Sequence, residues 1–228
     1  MGNPVSSFFY GVLWILCNVL SRLFLRFRVV GKENLPKAGG VLLAANHASY
    51  LDIPLLGCGA WRRLYYIGRS NLFPNRLLSW WLRCLGWIPL KADRVDRQAL
   101  GMVVDLLQAG EAVVIFPEGT RTDDGHLKPG KPGIGMLVEK SPCPVVPVYL
   151  DGPFQVWPMG PFRIRLHPVT VIFGKPIDFS EDIRRFQSKE LYYHISKTVM
   201  ARIAEIGHVE PPADCFKLTQ AVPPSTCT

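Results

Sequence analysis

From Phe27 onward, short apolar runs alternate with longer stretches that mix apolar and polar positions. The runs 41–45 (VLLAA) and 112–116 (AVVIF) are apolar throughout, which is typical of strands that are covered on both faces. The pattern predicts strands at 26–30, 41–45, 64–67, 87–90, 112–116, 145–150 and 163–173, and helices at 52–60, 73–84, 96–109, 132–141 and 181–206.

This alternation predicts one α/β domain over residues 31–207, with a mixed, largely parallel central sheet flanked by helices. Residues 208–228 contain several prolines and few apolar side chains, so we expect a disordered tail there. The chain shows no internal repeat of the kind that would indicate a solenoid or a propeller.

The N-terminal segment is a candidate for membrane contact. Residues 5–25 are mostly apolar, begin without a positive charge and are followed by arginines, which is the reverse of a secretory signal. Their length suffices for one transmembrane span. Because Asn18, Ser21 and Arg22 interrupt the segment near its end, we favour a helix that lies in the membrane interface. We therefore predict that residues 1–30 are a membrane-anchoring helical segment; an ordinary buried helix is the alternative.

A second candidate for membrane contact is the segment 75–87 (NRLLSWWLRCLGW). Its arginines and tryptophans recur at helical spacing, which suits a helix held at the level of the lipid headgroups. Tryptophans that simply fill the core would produce the same pattern, and the sequence leaves the two interpretations equal.

Composition and charge narrow the possible partners. Hydrophobic residues make up 48% of the chain and charged residues 19%, with a mean hydropathy of +0.15. Lys and Arg exceed Asp and Glu by 26 to 18, a balance that fits nucleic acid, an anionic bilayer or a phosphate-bearing substrate. No nucleic-acid-binding module is recognisable, so we expect no nucleic-acid partner.

The six cysteines lack metal-site or disulfide spacing, and we expect reduced thiols in a cytoplasmic environment.

The first chemical block, residues 46–54 (NHASYLDIP), directly follows the predicted strand 41–45. Catalytic groups of α/β folds gather at the carboxyl ends of strands. On one continuous helix, His47 and Asp52 would point about 140° apart. They can meet only if His47 lies in a loop and Asp52 begins a helix, and Pro54 fits the first turn of such a helix.

In that geometry Asp52 would orient the imidazole, and His47 would deprotonate a hydroxyl that attacks a thioester. From these residues alone another interpretation stays open, in which Ser49 and Asp52 mark a helix start and His47 is a core histidine. Ser49 and Cys58 are possible covalent nucleophiles, but neither has an evident second base.

The second block, residues 116–121 (FPEGTR), directly follows the predicted strand AVVIF. Gly119 permits an unusual backbone angle, Thr120 offers a hydroxyl, and the planar fork of Arg121 suits a phosphate. Glu118 can hold that arginine or contact a substrate hydroxyl. The alternative is a tight surface turn with a local ion pair. Because both blocks follow strands, they can converge on one crevice.

These two blocks resemble the first and third motifs of the glycerolipid acyltransferase family, which includes 1-acylglycerol-3-phosphate acyltransferases. Residues 86–94 (GWIPLKADR) stand where the family has its second motif, and 146–148 (VPV) resemble its fourth. Residues 125–127 and 131–133 resemble the stretch that follows the third motif in many members. The resemblance covers roughly residues 30–175, and its first and third motifs together are highly specific.

The resemblance implies that His47 and Asp52 are the catalytic pair and that Arg121, with Glu118 and Gly119, binds the acceptor phosphate; Thr120 is assigned to the same site. In the second motif the family usually places an arginine six residues after the glycine, whereas here Gly86 and Arg94 are eight apart. Either Arg94 or Lys91 would then supply the second phosphate contact, and we favour Arg94.

The implied reaction moves a fatty acyl group from acyl-CoA or acyl carrier protein to the free hydroxyl of 1-acylglycerol 3-phosphate, giving phosphatidic acid without a metal or other cofactor. Expected partners are the lipid bilayer, the lysophospholipid and the acyl donor, at the cytoplasmic face of the inner membrane. One alternative is another anionic acceptor, namely glycerol 3-phosphate, another lysophospholipid or an amino-acid-containing lipid. The other is a non-catalytic membrane-binding protein.

Overall fold

A computed structural model describes residues 4–69, 86–90, 97–160 and 163–213 of the chain. Over these residues the fold is α/β, with one seven-stranded, mostly parallel sheet and helices on both of its faces. Across the sheet the strand order is β1-β7-β6-β2-β5-β3-β4. The strands are β1 (Arg28–Val30), β2 (Val41–Ala45), β3 (Leu64–Arg69), β4 (Trp87–Leu90), β5 (Ala112–Ile115), β6 (Val145–Asp151) and β7 (Thr170–Phe173).

The helices lie between and beyond these strands. A single 3₁₀ turn, Lys32–Asn34, follows β1. The described α-helices are α1 (Pro4–Leu25), α2 (Asp52–Gly59), α3 (Arg97–Gln108), α4 (Gly133–Lys140), α5 (Pro153–Val156), α6 (Ser180–Arg185) and α7 (Ser188–Gly207).

Strand direction determines where the loops meet. Strands β2, β3, β4, β5 and β6 are mutually parallel, whereas β7 runs antiparallel to β6 and β1 runs parallel to β7. Strand β2 pairs directly with β5 on one side and with β6 on the other. The loops that leave the carboxyl ends of these three strands are therefore neighbours at one edge of the sheet.

The core has two layers because side chains of a strand alternate between its faces. Leu43 of β2 faces the layer that contains Leu56 of α2, and Leu42 faces the layer that contains Val103 of α3 and Ile195 of α7. Both layers are closed to solvent, so every position of β2 is buried. This arrangement explains why VLLAA is apolar throughout rather than at every second position.

Helix α1 packs on α2 with Asn18 and Ser21 turned inward. The indole nitrogen of Trp14 donates a hydrogen bond to the Gly57 carbonyl at 2.9 Å. Asn18 and Ser21 are buried, and their side chains bond to backbone carbonyls within α1 itself. The outward face is apolar. Among the described helices, none is both long enough and apolar enough to cross a membrane.

Several predicted boundaries need correction. The strand predicted over 163–173 comprises only Thr170–Phe173. Residues 163–168 are exposed, and Arg165 donates its backbone N–H to the Val156 carbonyl instead of to a neighbouring strand. The helix predicted over 181–206 is broken into α6 and α7, because Gln187 is extended and Ser188 adopts a positive φ of 48°. Helix α5 was not predicted from the sequence. The remaining strands lie where they were predicted, with ends shifted by at most two residues.

Some predictions fall outside the described residues. The predicted helix 73–84 does, as do residues 75–85 of the second membrane candidate and most of the predicted tail, 214–228. The division of the chain into an anchor, a catalytic domain and a tail stays a prediction.

We predict that Gly135→Ala destabilises the fold. A Cβ at position 135 would lie 2.3 Å from the Cα of Tyr192, so α4 and α7 would have to separate. Overpacking of this kind costs about 2 kcal/mol of unfolding free energy. Gly101→Ala is the matched control, because a Cβ there meets nothing within 4 Å and alanine favours helix by roughly 0.5–1 kcal/mol. Urea unfolding should move the two midpoints in opposite directions, and an unchanged midpoint for Gly135→Ala would contradict the prediction.

Candidate active site

The loop that follows β2 is held at its start by a buried asparagine. The Asn46 amide oxygen accepts the Leu150 N–H at 2.7 Å, and its amide nitrogen donates to the Leu150 carbonyl at 3.2 Å. The backbone pairing of β2 with β6 ends at Ala45, and beyond it the Asn46 side chain makes the bonds to β6. As a result, the residue after Asn46 starts from a fixed position at the carboxyl edge of the sheet.

That next residue is His47, and it meets Asp52 as predicted. Nδ1 of His47 lies 2.7 Å from Oδ2 of Asp52. The same oxygen accepts the backbone N–H groups of Ala48 at 2.7 Å and Ser49 at 2.9 Å. Asp52 is the first residue of α2 and is fully buried, whereas 20% of the His47 side chain is exposed. A carboxylate on Nδ1 places the ring proton there and leaves Nε2 with its lone pair.

The second block lies directly against this pair. Phe116 stacks on the imidazole of His47, with ring centroids 4.0 Å apart and planes 17° apart. Oε1 of Glu118 accepts the backbone N–H of His47 at 2.9 Å, and Oε2 accepts that of Lys128 at 3.0 Å. The backbone N–H of Thr122 donates to the His47 carbonyl at 2.8 Å. The two blocks therefore form one bonded unit.

Glu118 is unusual because this acidic residue is only 2% exposed. Burial raises its pKa from 4.5 to about 7, although the two backbone N–H bonds and the Lys128 ammonium act in the opposite direction. The nearby Asp52 carboxylate raises the pKa of Glu118 further. Both oxygens of Glu118 are thus occupied by the backbone of its surroundings, and its predicted contact with substrate stays a prediction.

Arg121 presents its guanidinium group beside the histidine. The group lies over the ring of Tyr50, 3.5 Å from the ring centroid. Among the described residues, Nη1 of Arg121 has no hydrogen-bond partner, although the atom is buried. The Arg121 carbonyl is held by Nζ of Lys128 at 3.0 Å. A buried, unsatisfied cationic donor costs free energy unless an anion binds it.

Gly119 and Thr120 form the part of the second block that is open to solvent. Gly119 has a φ of +70°, and both it and Thr120 are exposed. A Cβ at Gly119 would lie 2.8 Å from Nζ of Lys131, so this lysine crosses the glycine backbone. Lys131 therefore places a cation against Gly119, two residues before Arg121, and it was not singled out from the sequence as a site residue. The backbone bond from its N–H to the Pro117 carbonyl, at 2.8 Å, explains the proximity.

A cavity of about 560 Å³ opens beside His47 and Arg121. It runs between α2 and β3 towards the N-terminal half of α1, and most of its wall is apolar. The contribution of α1 to this wall was not predicted, because its apolar pattern was interpreted as a membrane anchor, with an ordinary buried helix as the alternative. The lining comprises Tyr10, Leu13, Trp14, Cys17, His47, Ser49, Tyr50, Ile53, Pro54, Gly57, Cys58, Tyr66, Ile67, Gly68, Trp87, Phe116 and Arg121.

The remaining candidates are Ser49, Cys58, Lys91 and Arg94. The Ser49 hydroxyl donates to the Trp157 carbonyl at 2.7 Å and accepts the Leu51 N–H at 3.1 Å, so it is held as a structural bridge. Cys58 is buried in the cavity wall among α1 and α2 residues. Lys91 and Arg94 lie outside the described residues, and their assignment stays a prediction.

Several known proteins are similar to this chain in sequence. The chain is 34% identical to the chloroplast 1-acyl-sn-glycerol-3-phosphate acyltransferase BAT2 of Brassica napus over 174 residues, covering 74% of this chain and 49% of that protein. It is 28% identical to the 1-acyl-sn-glycerol-3-phosphate acyltransferase of Bacillus subtilis, covering 78% of this chain and 87% of that one. The chain thus spans about half the length of the plant relatives and most of the Bacillus protein.

A solved structure and a family model agree with these relatives. The crystal structure of the 1-acyl-sn-glycerophosphate acyltransferase PlsC from Thermotoga maritima superposes with a TM-score of 0.72 at 25% identity, covering 89% of this chain and 80% of that one. The model of the acyltransferase family matches residues 26–151, more than half of the chain, and this range includes both bonded blocks. The chain belongs to the acyltransferase family.

Proposed function

We propose that this protein transfers a fatty acyl group from acyl-CoA or acyl carrier protein to the free hydroxyl of 1-acylglycerol 3-phosphate, giving phosphatidic acid. The observation that carries the proposal is that His47, bonded to Asp52, and Arg121 line one largely apolar cavity. A base, an anion-binding group and an apolar wall are the three features that this reaction requires. The names of the relatives give the same acceptor class.

The acceptor phosphate binds Arg121 in this proposal. The buried Nη1 of Arg121 can donate a hydrogen bond to a phosphate oxygen, and the Tyr50 ring fixes the plane of the guanidinium. Lys131, which crosses Gly119, adds positive charge on the open side of the same loop. A phosphate held here places the glycerol hydroxyl of a lysophospholipid towards the neighbouring His47.

The chemical step depends on which nitrogen of the His47 imidazole carries the proton. With its Nδ1 proton directed at Asp52, His47 takes the hydroxyl proton on Nε2 while the oxygen attacks the thioester carbonyl carbon. Asp52 stabilises the imidazolium that forms. When the tetrahedral intermediate collapses, the carbon–sulfur bond breaks and His47 returns the proton to the leaving thiolate. The products are phosphatidic acid and the free thiol of the donor.

The acyl chain of the donor or acceptor occupies the apolar cavity in this proposal. Removing an acyl chain from water is favourable by about 0.8 kcal/mol for each buried CH₂ group. The wall that accepts it includes Trp14 and Cys17 of α1, so the length of the cavity depends on how α1 packs on α2. Helix α1 therefore has a role at the site in addition to any role at the membrane.

We also propose that the protein is bound to the cytoplasmic face of the inner membrane through α1. Its buried face carries Asn18 and Ser21, whereas Ile15, Val19 and Leu23 are 58%, 55% and 70% exposed. These three residues recur at intervals of four and form one stripe along the helix. In water such an arrangement would be unfavourable, because apolar groups are exposed while polar groups are buried. A lipid surface removes that cost.

We interpret Glu118 as a positioning residue, because it holds the backbone of His47 and of Lys128 without lining the cavity. In this role it fixes the distance between the loop that carries the base and the loop that carries the phosphate-binding group.

We predict that His47→Ala lowers kcat for transfer to 1-acylglycerol 3-phosphate by at least about 100-fold, because a positioned general base contributes roughly 10²–10⁴. Asp52→Asn should also lower kcat, since the wrong ring nitrogen is then protonated. The assay uses purified protein in detergent with labelled acyl-CoA or acyl carrier protein. His126→Ala, an exposed histidine of the 116–132 loop, is the matched control. Equal rates for His47→Ala and the wild type would remove His47 from the mechanism.

We predict a pH-dependent stability contribution from Glu118. Since its folded-state pKa is raised from 4.5 to about 7, the folded protein binds a proton that the unfolded chain has lost between these values. The unfolding free energy of the wild type relative to Glu118→Gln should therefore fall as the pH rises from about 4.5 to about 7, by about 3 kcal/mol. Urea unfolding of both proteins across this range measures the difference.

Glu181→Gln, which removes an exposed carboxyl group, is the control for that measurement. A difference between the wild type and Glu118→Gln that stays constant or rises over the same range would contradict the burial argument.

We predict that replacing Ile15, Val19 and Leu23 together by glutamine lowers partitioning into lipid vesicles at least about tenfold, because each buried apolar side chain contributes about 1.5 kcal/mol or more. Glutamine preserves helix propensity, and the far-ultraviolet circular dichroism should not change. A double control, Met102→Gln with Tyr193→Gln, alters exposed apolar residues of α3 and α7. Equal sedimentation of the triple variant and the control with vesicles would count against α1 as the anchor.

A further inference from the structure

Two exposed segments lie side by side where α1 ends. The backbone N–H of Val169 donates to the Leu25 carbonyl at 2.9 Å, and the N–H of Arg28 donates to the Val169 carbonyl, also at 2.9 Å. We call residues 22–28 and 163–168 the rim surface. Both segments lie at the carboxyl edge of the sheet, because β1 pairs with β7 and Thr170 of β7 is opposite Asp151 at the end of β6.

The rim surface exposes large apolar side chains. Leu23 and Phe24 on one segment are 70% and 51% exposed, and Ile164 and Leu166 on the other are 52% and 71% exposed. Single exposed apolar residues are ordinary on a protein surface, but adjoining ones mark a contact site. Leu23 belongs to the apolar stripe of α1, and Ile164 and Leu166 extend the exposed apolar surface beyond the helix.

The same segments have a strongly one-sided charge. Arg22, Arg26 and Arg28 are exposed on the first segment, and Arg163 and Arg165 are exposed on the second. The sequence contains no aspartate or glutamate from residue 1 to 32 or from 152 to 177. The acidic residues nearest along the chain to the second segment are Asp178, which follows it, and Asp151 at the end of β6, which precedes it. The rim surface therefore presents guanidinium groups to an anionic partner.

A chain of contacts joins the rim surface to the candidate active site. Arg165 donates its backbone N–H to the Val156 carbonyl at 2.9 Å. The next residue, Trp157, accepts the Ser49 hydroxyl and lies 5.0 Å from the Tyr50 ring. Tyr50 in turn carries the guanidinium of Arg121. A partner bound at the rim surface would therefore be close to the opening of the cavity.

We infer that the rim surface binds the anionic headgroups of a lipid bilayer, as a second membrane contact beside the outward stripe of α1. The inference rests on the proposed function. Guanidinium groups interleaved with large apolar side chains suit the boundary between headgroups and acyl chains, where the charge binds phosphate and the apolar part is buried. This contact orients the protein so that a lysophospholipid can pass from the bilayer to Arg121 and His47.

An acidic carrier protein would also be attracted by the arginines, and it is the main competing partner. The bilayer is favoured because the exposed leucine, isoleucine and phenylalanine side chains are continuous with the α1 stripe. A partner held by charge alone would leave those four side chains in water, whereas a bilayer accommodates both kinds of group.

The test compares full-length variants in a vesicle-binding assay. Arg163→Gln with Arg165→Gln should lower partitioning onto phosphatidylcholine vesicles that contain phosphatidylglycerol by at least about tenfold, with a smaller effect on phosphatidylcholine alone. Ile164→Ser with Leu166→Ser should lower partitioning onto both kinds of vesicle. The matched control is Arg184→Gln with Lys189→Gln, which removes the same charge from α6 and α7 at exposed positions outside the rim surface.

Rim variants that partition like the control would overturn the inference. So would rim variants that bind vesicles normally but lose affinity for an acidic carrier protein, since the surface would then serve the acyl donor. The vesicle measurement requires no turnover, so its outcome is independent of whether the acyl-transfer proposal holds.

Discussion

The site depends on one buried carboxylate oxygen. Oδ2 of Asp52 accepts three N–H hydrogen bonds, one from the ring of His47 and two from the backbone of Ala48 and Ser49. The two backbone bonds close the turn before α2, and the ring bond sets which nitrogen of His47 can act as a base. Because the same atom shapes the loop and orients the side chain, the folding of this turn and the chemistry of the imidazole cannot be separated. Asp52 is fully buried, so water does not compete for these bonds.

Because β2 pairs with β5, the turn before α2 lies against the loop that follows β5. These strands are parallel neighbours, so the loop with His47 and the loop with Arg121 leave the same edge next to each other. Glu118 holds the two loops together by accepting a backbone N–H from each of them. Its carboxyl group is buried, which is itself unfavourable. The stacking of Phe116 on His47 completes the contact. Positioning in this site is therefore largely achieved by backbone bonds and packing around the two functional side chains.

Helix α1 links the site to the proposed membrane contact. Its inner side supplies Trp14 and Cys17 to the cavity wall, while its outer side is an apolar stripe. The rim surface continues that stripe to the edge of the sheet where the cavity opens. A lipid substrate would then have a short path from a bilayer to Arg121, with the acyl chain remaining in an apolar environment along the way. One helix would serve both purposes because its two faces have different neighbours.

The sequence alone determined the alternating strand and helix pattern, the two blocks at strand ends and the expectation that His47 and Asp52 meet. These features are local: they depend on periodicity and on spacings of a few residues. The tertiary structure decided the rest. Glu118 bonds to His47 across 71 positions, and Asn46 bonds to Leu150 across 104, so both contacts depend on strand order. Likewise, the composition of α1 predicts an anchor, but only its packing on α2 shows that Asn18 and Ser21 face inward and that the helix lines the cavity.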